Sequence, residues 1–275
     1  MVGVGVIGHT GRLGKPLVEI LNKHPNVEIA YTESRKEGIK GNLEDCELVF
    51  LALPEGESED NVKKIGSRII DLSIDHRNNN DWVYGLPELN KDIIKNARYV
   101  SNPGCYATSI ILGLAPLCGL VSNIHISSTS GISGAGKEAQ KEDNFLIYKE
   151  GREHKHIAEI EKTLNLEKIL FVPQRIDTAD KGIISTIFTK YNGYDEESLY
   201  CLYEGFYKSE PFIRMKTSIE TKNVLGTNYC DIKLIKFEDN LIIISAIDNI
   251  IKGGAGQAIQ NFNIMYGFYE KTALL

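Results

Sequence analysis

Short apolar runs alternate with amphipathic stretches from the N-terminus onward. VGVGVIG (2–8), VEIAYT (27–32), ELVFLALP (47–54), SRIIDLS (67–73) and ARYVSNP (97–103) each read as a strand. Between the first two, Arg12 to Lys23 sets Leu13, Leu17, Ile20 and Leu21 at helical spacing. Pro16 falls in that helix's first turn, where a missing N–H costs little. Strands that are apolar throughout, without alternation, are buried on both faces, so the pattern predicts an α/β domain on a parallel sheet, Rossmann-like in layout.

Beyond position 105 the texture changes. ATSIILGLAPLCGL reads as a buried helix, and SNIHISSTSG, GIISTIFTKYN, NYCDIKLIKFED and NLIIISAIDN are longer strands that alternate more. The last two meet across FEDNL as a hairpin does, which predicts a second, α+β domain with a mixed or antiparallel sheet. GGAGQAIQNFNIMYGF returns to helical spacing, with small residues at its start that suit packing against the first domain. The expected division is therefore discontinuous: 1–104 with 250–275, and 105–249. There is no internal repeat, low-complexity segment or flexible linker.

Composition narrows the functional classes. The 275 residues are 42% hydrophobic and 25% charged, with 31 Lys and Arg against 37 Asp and Glu, a net charge of -6. The basic residues are scattered, so the stripe that nucleic-acid binding requires is missing, and a small-molecule substrate is expected. No apolar run reaches the ~18 residues of a membrane helix. The glycine-rich start reads as a strand and not a secretory leader, so a cytoplasmic location is expected. The 5 cysteines are widely spaced, without a CxxC pair or clustered histidines, which argues against a disulfide framework or a structural metal. Cys46, Cys118, Cys201 and Cys230 lie in apolar or strand-like runs and read as packing residues.

GHTGRLG (8–14) is a GxxGxxG loop between the first strand and the first helix. Gly8, Gly11 and Gly14 allow a tight turn and close approach to a pyrophosphate. The amides of Thr10, Arg12 and Leu13, with the helix dipole, can face that anion. ESRK follows the second strand. Ser34 and Arg35, helped by Lys36, can take a 2′-phosphate and favour NADP (NADPH); Glu33 suits the ribose hydroxyls of NAD; a solvated charged turn is the plain alternative.

SNPGCYATS (101–109) places Cys105 after a Pro-Gly turn at the start of a helix, where orphan amides favour a thiolate over a thiol. By local context alone it is either a nucleophile or a small core residue.

NPGCYAT resembles the active-site signature of the N-acetyl-γ-glutamyl-phosphate reductase family, which is related to the aspartate-semialdehyde dehydrogenases. LVFLALPEGES, IIDLSIDHR, YGLPELN, SGISGAGK, HKHIAEI and SAIDNIIKGGAGQAIQNFNIMYGF are similar to the same family in the same order. The resemblance implies NADPH-dependent reduction of N-acetyl-γ-glutamyl phosphate to the semialdehyde and phosphate, in arginine biosynthesis, by a homo-oligomer (dimer or tetramer). It implies that Cys105 carries a thioester and that His154 or His156 is the acid–base group; either histidine can instead cap the helix expected near Ala158. Ser130, Ser133, Gly134 and Lys137 suit the transferred phosphate, although a plain glycine-rich turn reads the same way. Asn102 is expected on the substrate side, and Asn249, Lys252 and Gly254 on the cofactor side, Gly254 having a packing role as its alternative.

Two departures stand out. Members carry a longer segment between the second and third strands than SRKEGIKGNLEDCELVF. FVPQRIDTADKG replaces the family's usual residues at Gln174, Asp177 and Lys181, and its Arg175 can clamp a substrate carboxylate or pair with Asp177 or Asp180. Another acyl phosphate, aminoadipyl or aspartyl, is the nearest alternative substrate. A non-catalytic NADP-binding regulatory protein is the alternative from a different class.

Overall fold

The apolar runs of the first hundred residues form the parallel sheet they predict. In the computed structural model, which describes residues 1–134, 144–193 and 195–274, these are β1 (Val2–Ile7), α1 (Gly14–Leu21), β2 (Val27–Ser34), β3 (Gly38–Gly41), β4 (Leu48–Leu51), α2 (Ser58–Val62), β5 (Arg68–Asp71), β6 (Val83–Tyr84), α3 (Pro87–Asn96) and β7 (Tyr99–Ser101). The sheet order is β3-β2-β1-β4-β5-β7-β6, every pair parallel except β2 with β3. Val4, Val6, Ile69, Ile70, Val100 and all of β4 are fully buried, as a sheet covered on both faces demands. The chain leaves β1 toward β2 on one side and β4 on the other. The crevice beyond the carboxyl ends of β1 and β4 is thus the topological switch point, where such sheets bind ligands. β3 had no apolar signal, since all four of its residues are exposed.

The second sheet follows α4 (Cys105–Leu114), a helix buried from Tyr106 onward. Its strands are β8 (Ser122–Gly131), β9 (Phe145–Ile147), β10 (Leu170–Ile176), β11 (Ile183–Lys190), β12 (Ile213–Met215), β13 (Cys230–Phe237) and β14 (Asn240–Ile247). α5 (His156–Leu164) and α6 (Glu196–Phe206) complete the layer. The order is β12-β13-β14-β11-β8-β10-β9, mixed because β8 with β10 and β12 with β13 are parallel. In the predicted hairpin Phe237 pairs with Asn240 across Glu238 and Asp239. On the inner face, the Ser109 hydroxyl of α4 reaches those of Ser185 and Ser245 at 3.0 Å each.

One turn of π-helix, Ile251–Ala255, leads into the fully buried α7 (Gly256–Met265). The two compact units are Met1–Gly104 with Gly254–Leu275, and Cys105–Gly253. The return thus falls at Gly254, later than the expected 250, and Asn249 and Lys252 belong to the second unit. Cys46 and Cys230 are buried, but Cys118 and Cys201 are exposed, against the expectation that they pack. Among the described residues no helix is long and apolar enough to cross a membrane.

Candidate functional site

The glycine loop closes tightly over the switch point. Gly8 has φ +86°, and a Cβ on it would stand 2.3 Å from the Ala52 carbonyl oxygen that follows β4. A Cβ on Gly14 would stand 2.2 Å from the Gly8 carbonyl oxygen, so both positions need glycine. Leu13 stands at the N-cap of α1 without a side-chain cap, and the first turn holds no acid. The loop of Gly8, Thr10, Gly11, Arg12, Leu13 and Gly14 lies at the positive end of that helix, where a glycine-rich turn of this type can approach an anion. The Leu13 side chain packs against Gly254, where a Cβ would stand 2.6 Å from Leu13 Cδ2; Gly254 has the packing role.

The end of β2 is organised by side chains of its own unit. The Ser34 hydroxyl accepts from the Glu37 amide at 3.1 Å and holds the turn into β3. Arg35 is exposed and donates to Glu57 at 2.8 Å. Glu33 accepts from the Tyr31 hydroxyl at 2.6 Å.

A buried polar cluster beyond β4 and β5 has no motif of its own in the sequence. Asp71 is fully buried and accepts from the Ser58 hydroxyl at 3.1 Å, the Ser73 amide and hydroxyl at 2.8 Å each, and His76 Nδ1 at 2.6 Å. His76 stacks on Trp82, with ring centroids 4.0 Å apart, and Nε2 lies 3.2 Å from Glu59. Burial alone would lower the His76 pKa. The hydrogen bond and charge of Asp71, then those of Glu59, outweigh it and leave the pKa raised. Asn102 closes this region: its amide donates to the Gly254 carbonyl at 3.2 Å and accepts from Asn261 at 3.2 Å.

In the second unit Cys105 is half-buried and is the first residue of α4. Gly253 presses on it, since a Cβ there would stand 2.7 Å from Cys105 Cβ. Tyr106 runs inward. Its hydroxyl bonds Ser130 Oγ at 2.8 Å and the Gln174 carbonyl at 2.9 Å, and accepts from Tyr148 at 3.1 Å. Burial, as the largest cause, raises the pKa of both phenols.

The histidine pair lies against the same tyrosine. The Tyr106 ring centroid is 5.5 Å from that of His154 and 6.1 Å from that of His156. α5 begins at His156, two residues before Ala158, so the helix-start expectation for one histidine holds alongside any chemical role. Burial first, then the charges of Lys149 and Lys155, lower the His154 pKa to about 4. His154 Nδ1 accepts from the His156 backbone N–H at 3.2 Å, so the neutral ring carries its proton on Nε2. His156 Nε2 stands 3.8 Å from the buried carboxylate of Glu159.

Ser130 and Ser133 are both engaged, Ser130 by Tyr106 and Ser133 by the Asn249 amide at 2.9 Å. Gly134 ends the short turn Ile132–Gly134, and Lys137 lies outside the described residues. Asn249 also accepts from the Gly182 amide at 2.7 Å, so its side chain ties together loops of the second unit. Lys252 is fully buried, its ammonium 5.6 Å from the Phe212 ring centroid. Arg175 pairs with the buried Asp177 through Nε and, at 3.0 Å, Nη2, the partner weighed for it beside a substrate carboxylate.

Comparison with known proteins agrees with this layout. Residues 36–97 match the family model described as semialdehyde dehydrogenase, NAD binding domain, and residues 105–249 the one described as semialdehyde dehydrogenase, dimerisation domain. The N-acetyl-gamma-glutamyl-phosphate reductases of Thermoanaerobacter pseudethanolicus and Flavobacterium johnsoniae are each 37% identical, with 100% of this chain and 98% of theirs covered. Those alignments run to 340 and 320 positions, so both relatives carry segments that this chain lacks. The aspartate semialdehyde dehydrogenase with NADP from Candida albicans superposes with a TM-score of 0.76 at 17% identity, covering 97% of this chain and 99% of that one. Aspartate semialdehyde dehydrogenase II from Vibrio cholerae gives 0.75 at 15% identity, with 97% and 99% covered. At such identities the two structures establish the fold.

Proposed function

This chain belongs to the N-acetyl-γ-glutamyl-phosphate reductase family of semialdehyde dehydrogenases, and from that premise we propose that it reduces N-acetyl-γ-glutamyl phosphate to N-acetylglutamate semialdehyde and phosphate, with Cys105 as nucleophile. The observation that carries the reading is the placement of Cys105 at the start of a buried helix, next to a tyrosine bonded to Ser130 and in ring contact with both histidines.

The sulfur of Cys105 attacks the acyl carbon, the bond to the phosphate oxygen breaks, and a thioester forms on Cys105. The departing phosphate takes a proton from the histidine pair. His156, oriented by Glu159, exchanges that proton, while His154 stays neutral at physiological pH and offers its Nε2–H to the carbonyl oxygen. Ser130 and Ser133 line the phosphate side, and Lys137 belongs to the same motif. A bound nicotinamide dinucleotide supplies the hydride that takes the acyl group to the aldehyde level. Collapse of the resulting oxyanion returns the electron pair to the Cys105 sulfur.

The glycine loop holds the cofactor's pyrophosphate. The exposed Arg35 supports NADP over NAD as its preferred form, by pairing with the 2′-phosphate in place of Glu57. The chain works as a cytoplasmic homo-oligomer assembled through residues 105–249.

The test is phosphate-dependent NADP reduction with N-acetylglutamate, aminoadipate and aspartate semialdehydes in parallel, with Cys105→Ser as control. Turnover of the first alone is the expected result. Preference for another semialdehyde overturns the substrate, and full activity of Cys105→Ser overturns the mechanism.

A further inference from the structure

A helix that is buried on every side has no amphipathic face to set its rotation. α4 is such a helix: every residue from Tyr106 to Leu114 is buried, and Tyr106, Ile110, Ile111 and Leu112 are spread around its circumference. Hydrophobic packing holds it in the core without choosing which way it turns. The strands beneath it carry the direction. Ser128 on β8, Ser185 on β11 and Ser245 on β14 stand opposite one another in the ladder, all fully buried, beside the apolar row Ile126, Ile187 and Ile243. Hydroxyls in such an interior cost free energy unless they are bonded. Ser109, one turn along α4 from Cys105, bonds them.

Ser185 accepts from Ser109 at 3.0 Å and from Ser128 at 2.8 Å. The single Ser109 proton is thereby engaged, so the 3.0 Å contact with Ser245 runs from Ser245 to Ser109, and Cys230 on β13 donates its S–H to Ser245 at 3.4 Å. One chain of bonds thus spans four neighbouring strands with Ser109 at its centre. Turning α4 by one residue toward Ile110 would set an isoleucine on the serines and leave them short of a partner. The flanking contacts keep the same step. Tyr106 bonds Ser130 one row along, and Gly113 lies on the apolar row, where a Cβ would stand 3.1 Å from Ile187 Cδ1 and 3.4 Å from Ile243 Cγ2. At the far end of α4, Tyr203 and Tyr207 of α6 donate to the Gly113 and Leu112 carbonyls at 2.6 Å each, which fixes the helix along its axis.

We propose that Ser109 is a positioning residue for the reaction: through the serine row it sets the rotation of α4, and with it the direction in which the Cys105 thiol points. This rests on the reading that Cys105 is the nucleophile, and it names what aims the sulfur. A side-chain atom about 5 Å from a helix axis moves about 1 Å for every 12° of rotation. A shift of that size at a reacting group costs up to about 100-fold in rate. Ser109 itself is fully buried and acts through Cys105.

The experiment compares wild type, Ser109→Ala, Ser245→Ala and Ser128→Ala in the full chain. It reads kcat and KM for phosphate-dependent NADP reduction with N-acetylglutamate semialdehyde, the urea midpoint, and the rate at which iodoacetamide alkylates Cys105, followed on the Cys105 peptide by mass spectrometry. Ser109→Ala leaves Ser185 bonded to Ser128 and Ser245 bonded to Cys230, so its urea midpoint is expected to stay near that of wild type. Its kcat is expected to fall about 10-fold with KM within about twofold, and its alkylation rate to change by at least about threefold. Ser245→Ala removes one of the two hydroxyls that Ser109 meets; it shows the same pattern at smaller size and stands in for Ser109→Ala should that variant misfold. Ser128→Ala removes a hydroxyl that reaches Ser109 only through Ser185, and keeps wild-type kcat and alkylation. Wild-type kcat or wild-type alkylation in folded Ser109→Ala overturns the proposal. Equal losses in all three variants, in step with their urea midpoints, show a structural role alone and overturn it as well. A wild type that turns over no semialdehyde overturns the enzyme reading instead, and the alkylation rates still decide on Ser109.

Discussion

Gly253 and Cys105 meet backbone to side chain: a Cβ at Gly253 would stand 2.7 Å from Cys105 Cβ and 3.1 Å from Cys105 Cα. The π-helical turn that carries Gly253, anchored by its amide on the Asp248 carbonyl at 2.9 Å, therefore backs Cys105, the proposed nucleophile. Gly253→Ala must displace Cys105 or its own turn. The expected effect is a fall in kcat/KM of about 100-fold, the scale of a 1 Å misplacement at a reacting group. A matching change in the alkylation rate of Cys105 by iodoacetamide checks it; wild-type values for both would remove the contact from the mechanism.

The histidine pair divides its labour by charge state. His156→Asn is expected to abolish the alkaline limb of the pH–rate profile, whereas His154→Asn lowers kcat, by about 10- to 100-fold, with the profile's shape kept. Measurement of kcat/KM from pH 5 to 9 in both variants decides, and identical profiles would assign the proton to another group.

His76 and His154 impose opposite pH dependences on stability. The folded-state pKa of His76 is raised, so its contribution is complete below the unfolded value of about 6.5 and declines as pH rises through the folded value. The His154 pKa is lowered to about 4, so its contribution is complete above about 6.5 and is lost as pH falls toward 4. Urea midpoints over this range are expected to lose their alkaline decline in His76→Phe and to lose part of the acid decline in His154→Phe.

Glu57 competes with the nucleotide for Arg35. Both side chains face solvent, so the pair itself contributes less than about 1 kcal/mol. Glu57→Gln frees the guanidinium and removes a like charge facing a 2′-phosphate. NADPH fluorescence titration is expected to show about 3- to 10-fold tighter binding, with NADH nearly unchanged. Arg35→Ala should reverse the preference, and an unaltered NADPH affinity in that variant would reject NADP as the preferred cofactor.

Arg175 neutralises a carboxylate with no exposed side-chain surface. Arg175→Leu is expected to destabilise the second unit by about 3 kcal/mol through the stranded Asp177 charge, with much of the loss recovered in the double variant Arg175→Leu/Asp177→Leu. Denaturant unfolding of the three variants measures it.

Periodicity and punctuation determined a good deal by themselves. Continuous apolar runs in β1, β4 and β5 announced a doubly covered parallel sheet, and alternation after position 105 announced the mixed one, because side-chain period and burial are local consequences of backbone geometry. The glycine loop and Cys105 were legible for the same reason: each needs a particular residue type at a strand–helix junction.

Only the tertiary structure decided how the polar side chains are spent. Asn102 bonds a carbonyl 152 positions away, Asn249 bridges residues 67 and 116 positions away, and Gly253 meets a cysteine from the far end of the second unit. Asp71 likewise became the centre of a five-residue network only once the loops after β4 and β5 had converged. A residue's type fixes what it can bond, but the partner is chosen when sheet closure brings distant loops within about 3 Å, and no local spacing encodes that distance.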